Sequence, residues 1–225
     1  MKKKTLIVST ALLLVAIMCL ATASYAWFTS NASVSAGTLN VKINSANGNL
    51  IIGTANDLTA IQAAKAHTAD ITLAEAASLN PVALKTDASA ETVSTVAAWY
   101  YEKATSTDAS TGDGTQLAPG ALAGYVATAD VYVCTATGTP NLTNLKATVS
   151  GNTAPIKVAV ASATVLDTTP NGTTALAETV TDTALVKVTL YVWYDGTDAT
   201  VFTDNIANIA NGAIGITLTA TEPTA

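Results

Sequence analysis

Arginine is absent from this 225-residue chain. Its ten basic residues are all lysine, set against sixteen acidic ones, for a formal net charge of −6. Such a chain lacks the guanidinium forks that read guanine and the cation clusters whose phosphate contacts release counterions, so no nucleic acid is expected as a partner. Histidine occurs once. His67, in the Ala-rich stretch from Ala63 to Asp70, excludes multi-histidine zinc sites and leaves any Ser-His-Asp triad dependent on one residue. The chain also lacks a His-Glu-x-x-His helix, a Gly-x-Ser-x-Gly elbow, a phosphate loop and a dinucleotide fingerprint. The expectation is therefore not an enzyme, with no catalytic residue, no cofactor and no metal, and His67 reads as an exposed helix residue. Cysteine is limited to Cys19 and Cys134, too few for a disulfide framework.

Only one long apolar run exists, Thr5 to Ala23, and three lysines, Lys2, Lys3 and Lys4, precede it. This is the order of a charged n-region and an apolar h-region. Ser24-Tyr25-Ala26 then places small residues three before and immediately before a cut between Ala26 and Trp27. The run is long enough to cross a bilayer, so a retained anchor is the competing reading. Ser9, Thr10 and Thr22 weaken an anchor, and the small-residue site favours cleavage. The expected product is a secreted chain beginning at Trp27, with no stable membrane anchor after cleavage. Cys19 departs with the leader and Cys134 remains alone.

What is abundant is alanine, 44 residues, and threonine, 39. Threonine's β-branch suits a pleated surface, and period-two alternation runs through the second half of the chain. Val131 and Val133 alternate with Asp130, Tyr132 and Cys134. Leu145, Ala147 and Val149 alternate with Lys146, Thr148 and Ser150. The same holds for Ile156, Val158 and Val160, for Val186 to Tyr194, and for Ile214, Ile216, Leu218 and Ala220. Each run has one apolar and one mainly polar face, as antiparallel sheets with one wet side require. Turn residues fall between the runs at Thr139-Pro140-Asn141, Ser150-Gly151-Asn152, Pro170-Asn171-Gly172, Asp195-Gly196 and Asn211-Gly212. From Ala55 to Leu84 the spacing becomes helical, with Asp57 and Thr72 as N-caps. Ala104 to Ala118 reads as a loop. The fold expected is all-β, a jelly-roll-like antiparallel β-sandwich with one or two short helices. Cys134 has two readings, a half-buried strand thiol and an intermolecular disulfide.

Between Phe28 and Ile43 the apolar parity changes. Phe28, Ala32, Val34 and Ala36 lie at even positions, whereas Leu39, Val41 and Ile43 lie at odd ones, and Gly37 sits at the change of phase. In a strand that shift moves side chains to the other face unless a bend intervenes, and glycine permits one. Thr38 to Ile43 thus reads as a strand of the parent domain and Trp27 to Ala36 as a separable arm. Such an arm can fold back into its own sheet or add a strand to a neighbouring molecule. Repeated head to tail, the second contact does not close and makes a filament.

The junction Ala23-Ser24-Tyr25-Ala26-Trp27-Phe28-Thr29-Ser30-Asn31, followed by Ala36-Gly37-Thr38-Leu39, resembles the TasA and camelysin group of secreted bacterial matrix proteins. The resemblance continues in Gly124-Tyr125-Val126, in Ala154 to Val160 and in Val188 to Asp198. It implies export through a SipW-type signal peptidase, a jelly-roll domain, assembly of identical subunits into extracellular fibres and a donated N-terminal strand. On this chain that strand would comprise Trp27, Phe28, Ala32, Val34 and Ala36, with Gly37 at its end. The chain departs from the group in being Ala/Thr-rich and poor in charge, whereas TasA is Lys-rich. It also lacks the zinc-binding helix that a camelysin-type metalloprotease would need.

The division expected is a signal peptide at 1–26, an arm at 27–37 and a single β-sandwich at 38–225. The function expected is a secreted structural subunit of a biofilm fibre or pilus, polymerising head to tail by donor-strand complementation. The alternative is a secreted monomeric adhesin or binding module that uses the Ala104–Ala118 loop or the loop carrying Asp195, Asp198, Asp204 and Asn205. The latter loop's oxygens also suit a hard cation.

Overall fold

A computed structural model of the chain describes residues 39–45, 48–73, 79–84, 99–101, 115–116, 122–151, 155–198, 201 and 213–222. The chain divides into two units, Met1–Ser35 and Ala36–Ala225, and all described residues belong to the second. The arm and the cleavage site, Ala26 to Gly37, lie outside the described residues.

Two five-stranded sheets form the body. In chain order the first sheet takes β1 (Leu39–Ser45), β3 (Thr68–Leu73), β8 (Leu142–Ser150), β11 (Asn171–Val180) and β13 (Ala213–Thr221). Across that sheet they lie as β11-β8-β13-β1-β3. The second sheet takes β2 (Leu50–Gly53), β7 (Ala127–Thr135), β9 (Ile156–Ala161), β10 (Leu166–Asp167) and β12 (Val186–Tyr194). Its lateral order is β10-β9-β12-β7-β2. A small sheet is made by β4 (Val82–Leu84), β5 (Trp99–Tyr101) and β6 (Thr115–Gln116). Among the described residues one helix, α1 (Leu58–Ala64), connects β2 and β3.

The alternation in the sequence explains the layering. Ile43, Leu145, Ala147, Ile214, Ile216 and Leu218 of the first sheet meet Val131, Val133, Val158, Val160, Val188 and Leu190 of the second in one buried cluster. Burying branched aliphatics of this kind contributes roughly 1.5–3 kcal/mol per side chain. The outer face of the first sheet is the wet, Thr-rich one: Asn171, Thr148 and Thr217 stand in one register row across β11, β8 and β13, and Thr68 on β3 is exposed. The outer face of the second sheet is covered in two places. At one end Val82, Val126, Ala159, Ala161, Tyr191 and Trp193 form a second cluster. At the other, Ile61 of α1 seats on Ile51 and Cys134.

The antiparallel β-sandwich expected from the sequence is the fold observed. Asp57 caps α1 as expected, with extended backbone and its Oδ1 accepting the Ala60 N–H at 3.1 Å. Thr72 and Leu73, expected to open a second helix, lie in a strand, and Ala76 and Ala77 of that expected helix lie outside the described residues. Both residues belong to β3, which pairs along its length with β1, so ladder bonding overrides the helical spacing. His67 is exposed as expected but follows the helix rather than lying on it. Of Pro170-Asn171-Gly172, expected as a turn, Asn171 and Gly172 already belong to β11, with Gly172 at φ +84.

Candidate functional site

The sandwich has two lateral boundaries, and they differ. At the boundary formed by β2 and β3 the connection through α1 lies along the edge of β2 and extends the ladder between β1 and β3. The Ser45 N–H donates to His67 O and the Ile52 N–H to Ala66 O, each at 2.8 Å. His67 Nδ1 is bonded to Leu50 O at 2.9 Å. Gln62 of α1 adds a staple: its Nε2 donates to Thr135 O (2.8 Å) and Asp182 O (3.1 Å), and its Oε1 accepts from Thr137 N–H and Oγ1, both at 2.9 Å.

The opposite boundary is made by β11 and β10. β11 shifts register against β8 twice, between Asn171 and Ala175 and between Ala175 and Ala177, which bends an edge away from casual pairing. β10 is only two residues long and pairs with Val160 and Ala161 alone. It stops because the chain then crosses to the other sheet. Asp167 Oδ1 accepts the Thr169 N–H at 3.1 Å, and Pro170 O accepts the Val149 N–H of β8 at 2.9 Å. Ile156 to Ala159 of β9 are thus paired with β12 on one side and have no strand on the other among the described residues.

A cleft of about 210 Å³ lies beside Lys157 of this stretch, lined also by Ala83, Leu84, Thr168, Thr169, Trp193, Asp195 and Thr197. Asp195 Oδ2 is 3.4 Å from Lys157 Nζ. Its Oδ1 accepts from Thr197 N–H at 3.0 Å and Thr197 Oγ1 at 2.6 Å, and its own N–H donates to Pro155 O at 2.9 Å. These bonds commit the carboxylate to shaping the turn. Asp198 joins the same turn through its N–H to Asp195 O at 3.1 Å. Asp204 and Asn205 lie outside the described residues, as do Ala104 to Gly114. Among the described residues no group of three acidic, His or Cys side chains could hold a metal.

Cys134 is buried beneath α1, not half-buried, because the face opposite Val131 and Val133 is roofed by the helix. Burial pushes its thiol pKa up, and the Asp182 carboxylate adds to the shift. A buried, protonated thiol is a poor partner for an intermolecular disulfide. Asp130 anchors a second polar group. Its Oδ1 accepts from Thr189 Oγ1 at 2.7 Å and its Oδ2 is 2.9 Å from Lys187 Nζ, a bond that raises the lysine pKa. Burial, with a contribution from the Asp130 charge, raises that of Tyr191.

The sequence reading picked out the Asp195 turn but not the open edge beside it. The only sequence signal for that edge is Pro170 three residues after Asp167, which forbids a long β10. No family model, curated protein or solved structure matches the chain.

Proposed function

We propose that this chain is a secreted, non-enzymatic structural subunit, exported by cleavage after Ala26, that polymerises head to tail through its N-terminal arm into extracellular fibres. The arm, Trp27 to Ala36, supplies the strand.

The observation that carries the reading is the placement of β1. Taken in chain order, β3, β7, β8, β9, β10, β11, β12 and β13 would make sheets β3-β13-β8-β11 and β7-β12-β9-β10, the strand alternation of a jelly roll. β1 is an insertion into that scheme. It sits between β13 and β3, is antiparallel to β3, and makes with β13 the one parallel strand pair among the described residues. It forms no hairpin with either neighbour. β1 is therefore held in sheet one as an added strand, by main-chain ladders on both sides and by Ile43 in the core. The arm leads directly into it, and its change of parity at Gly37 separates the two. A chain whose N-terminus already adds strands in this manner is suited to adding the preceding segment to a neighbour. The SipW-type junction and the resemblance to the TasA group point the same way.

Negative-stain microscopy of a chain beginning at Trp27, beside one beginning at Thr38, tests the proposal. Filaments are expected from the longer chain alone. Stable single particles from both would replace it with the monomeric binding module, and filaments from both would remove the arm from the mechanism.

A further inference from the structure

We propose that the cleft beside Lys157 binds one uncharged sugar ring, a pyranose unit of a neutral saccharide. The proposal depends neither on the arm nor on polymerisation.

The cleft has the make-up of a small-ligand site, an apolar floor with a few converging polar groups. The fold fixes the floor. Trp193 is buried in the cluster with Val82, Ala159 and Tyr191, and the partly buried Leu84 packs against that cluster. Main-chain bonds hold the walls around it. The Gly196 N–H donates to Val82 O at 3.2 Å, the Asp195 N–H to Pro155 O at 2.9 Å, and the Val149 N–H to Pro170 O at 2.9 Å. These bonds tie β4, the start of β9, the end of β12 and the crossing segment to one another. The cleft is therefore formed before a ligand arrives, and little ordering accompanies binding.

The groups around the floor keep hydrogen-bonding capacity. Thr168 and Thr169 line the cleft, and among the described residues their hydroxyls have no hydrogen-bond partner. Asp195 Oδ1 is engaged by Thr197. Its Oδ2 is 3.4 Å from Lys157 Nζ, with the lysine half exposed. A tight charge-assisted hydrogen bond measures about 2.7–2.9 Å, so this pair is loosely closed. The ammonium has three donors and the carboxylate oxygen two lone pairs, which leaves donors on one side of the pair and acceptor capacity on the other.

Charge and size select the ligand. Lys157 and Asp195 cancel each other within the cleft, so neither an anion nor a cation gains a net attraction there. The net charge of −6 on the whole chain further disfavours anions. A neutral ring with neighbouring hydroxyls suits every group present. One hydroxyl donates to Asp195 Oδ2 while its neighbour accepts from Lys157 Nζ. The threonine hydroxyls serve as donor or acceptor to others, and the C–H face of the ring lies on Leu84. At about 210 Å³ the cleft is smaller than the roughly 300–1,000 Å³ of pockets for drug-sized ligands, so it takes a single ring. Such a ligand binds weakly, with a Kd on the order of 1–10 mM.

Surface plasmon resonance tests this with the chain beginning at Trp27, over immobilised dextran, β-glucan, mannan and galactan, and over alginate as the anionic control. Binding to at least one neutral polymer is expected. Lys157→Ala should weaken it about tenfold and Thr169→Val about threefold, since the first removes a charged donor and the second a neutral hydroxyl. Both positions are exposed, and an unchanged circular dichroism spectrum and Tm check that each variant folds. Titrating tryptophan emission with free glucose, mannose and galactose separates the sources of the ring. A response to free sugar that both variants weaken, without binding to any polymer, supports a site for monosaccharides; binding to a polymer supports a site for polysaccharide units. No response to any neutral sugar or polymer, binding that neither variant weakens, or stronger binding to alginate than to every neutral polymer overturns the proposal. Each of those failures leaves strand donation untouched, because the arm takes no part in the cleft's chemistry.

Discussion

Gln62 is expected to hold the α1 roof in place. Replacing it by alanine removes four hydrogen bonds, two donated by Nε2 to Thr135 O and Asp182 O and two accepted by Oε1 from Thr137. Each is worth about 1 kcal/mol net. The site is half-buried, so water replaces part of what is lost, and the expected cost of Gln62→Ala is about 2–3 kcal/mol. In a domain of this size that lowers Tm by roughly 4–12 °C. Gln62→Glu sharpens the test. It keeps the acceptor toward Thr137 but sets a carboxylate against two carbonyl oxygens, so it should cost more than alanine at neutral pH and recover as acid protonates the new carboxyl. Cys134 provides a local readout, because it lies under the same helix and Gln62 Nε2 is 3.7 Å from its sulfur. Its labelling by a thiol reagent should accelerate in both variants well below the global transition. Urea unfolding followed by tryptophan fluorescence, together with labelling rates, measures both effects. A Gln62→Ala variant within 0.5 kcal/mol of the parent, with Cys134 still protected, would refute the staple.

Three further outcomes are expected. Gly53→Ala should cost about 1–3 kcal/mol, since a methyl there meets Ile61 Cδ1 at 2.7 Å and Cγ1 closer still; a second change, Ile61→Ala, should recover little of its own loss separately, so a double-mutant cycle in urea will show coupling. Burial pushes the Tyr194 pKa up to about 12, against about 10 in the unfolded chain. Above pH 10 the unfolded state loses a proton that the folded state keeps, so stability should fall between pH 10 and 12 by about 1.4 kcal/mol per unit. Tyr194→Phe removes a buried hydroxyl that has no hydrogen-bond partner and should be at least as stable as the parent at pH 7, with a shallower alkaline loss. Lys187→Met should change stability by less than about 1 kcal/mol, and the difference should shrink in high salt, because the Lys187–Asp130 pair is half exposed.

The sequence by itself determined the class of fold and most of the inner faces. Period-two alternation marked β7, β8, β9, β12 and β13, because a strand buried on one face must repeat every second residue. Asp57 marked α1, because an oxygen-bearing side chain is what an exposed first turn lacks. Composition excluded arginine-dependent partners. The short strands β2, β3 and β10 were not legible. Each holds its place through a partner distant in sequence, as when β3 pairs with β1 in spite of helical spacing around Leu73.

Tertiary structure alone decided three things. Cys134 shares the polar parity of its strand yet is buried, since a helix encoded elsewhere lies over it. β1 runs parallel to β13, a direction that no local pattern encodes. Among the described residues β9 has a strand on one side only over Ile156 to Ala159, because the chain after Asp167 crosses to reach β8, and a crossing backbone cannot also continue a ladder. Alternation fixes which face of a strand is buried. Which strands lie at an edge depends on how the connections travel, and that follows from packing the whole chain.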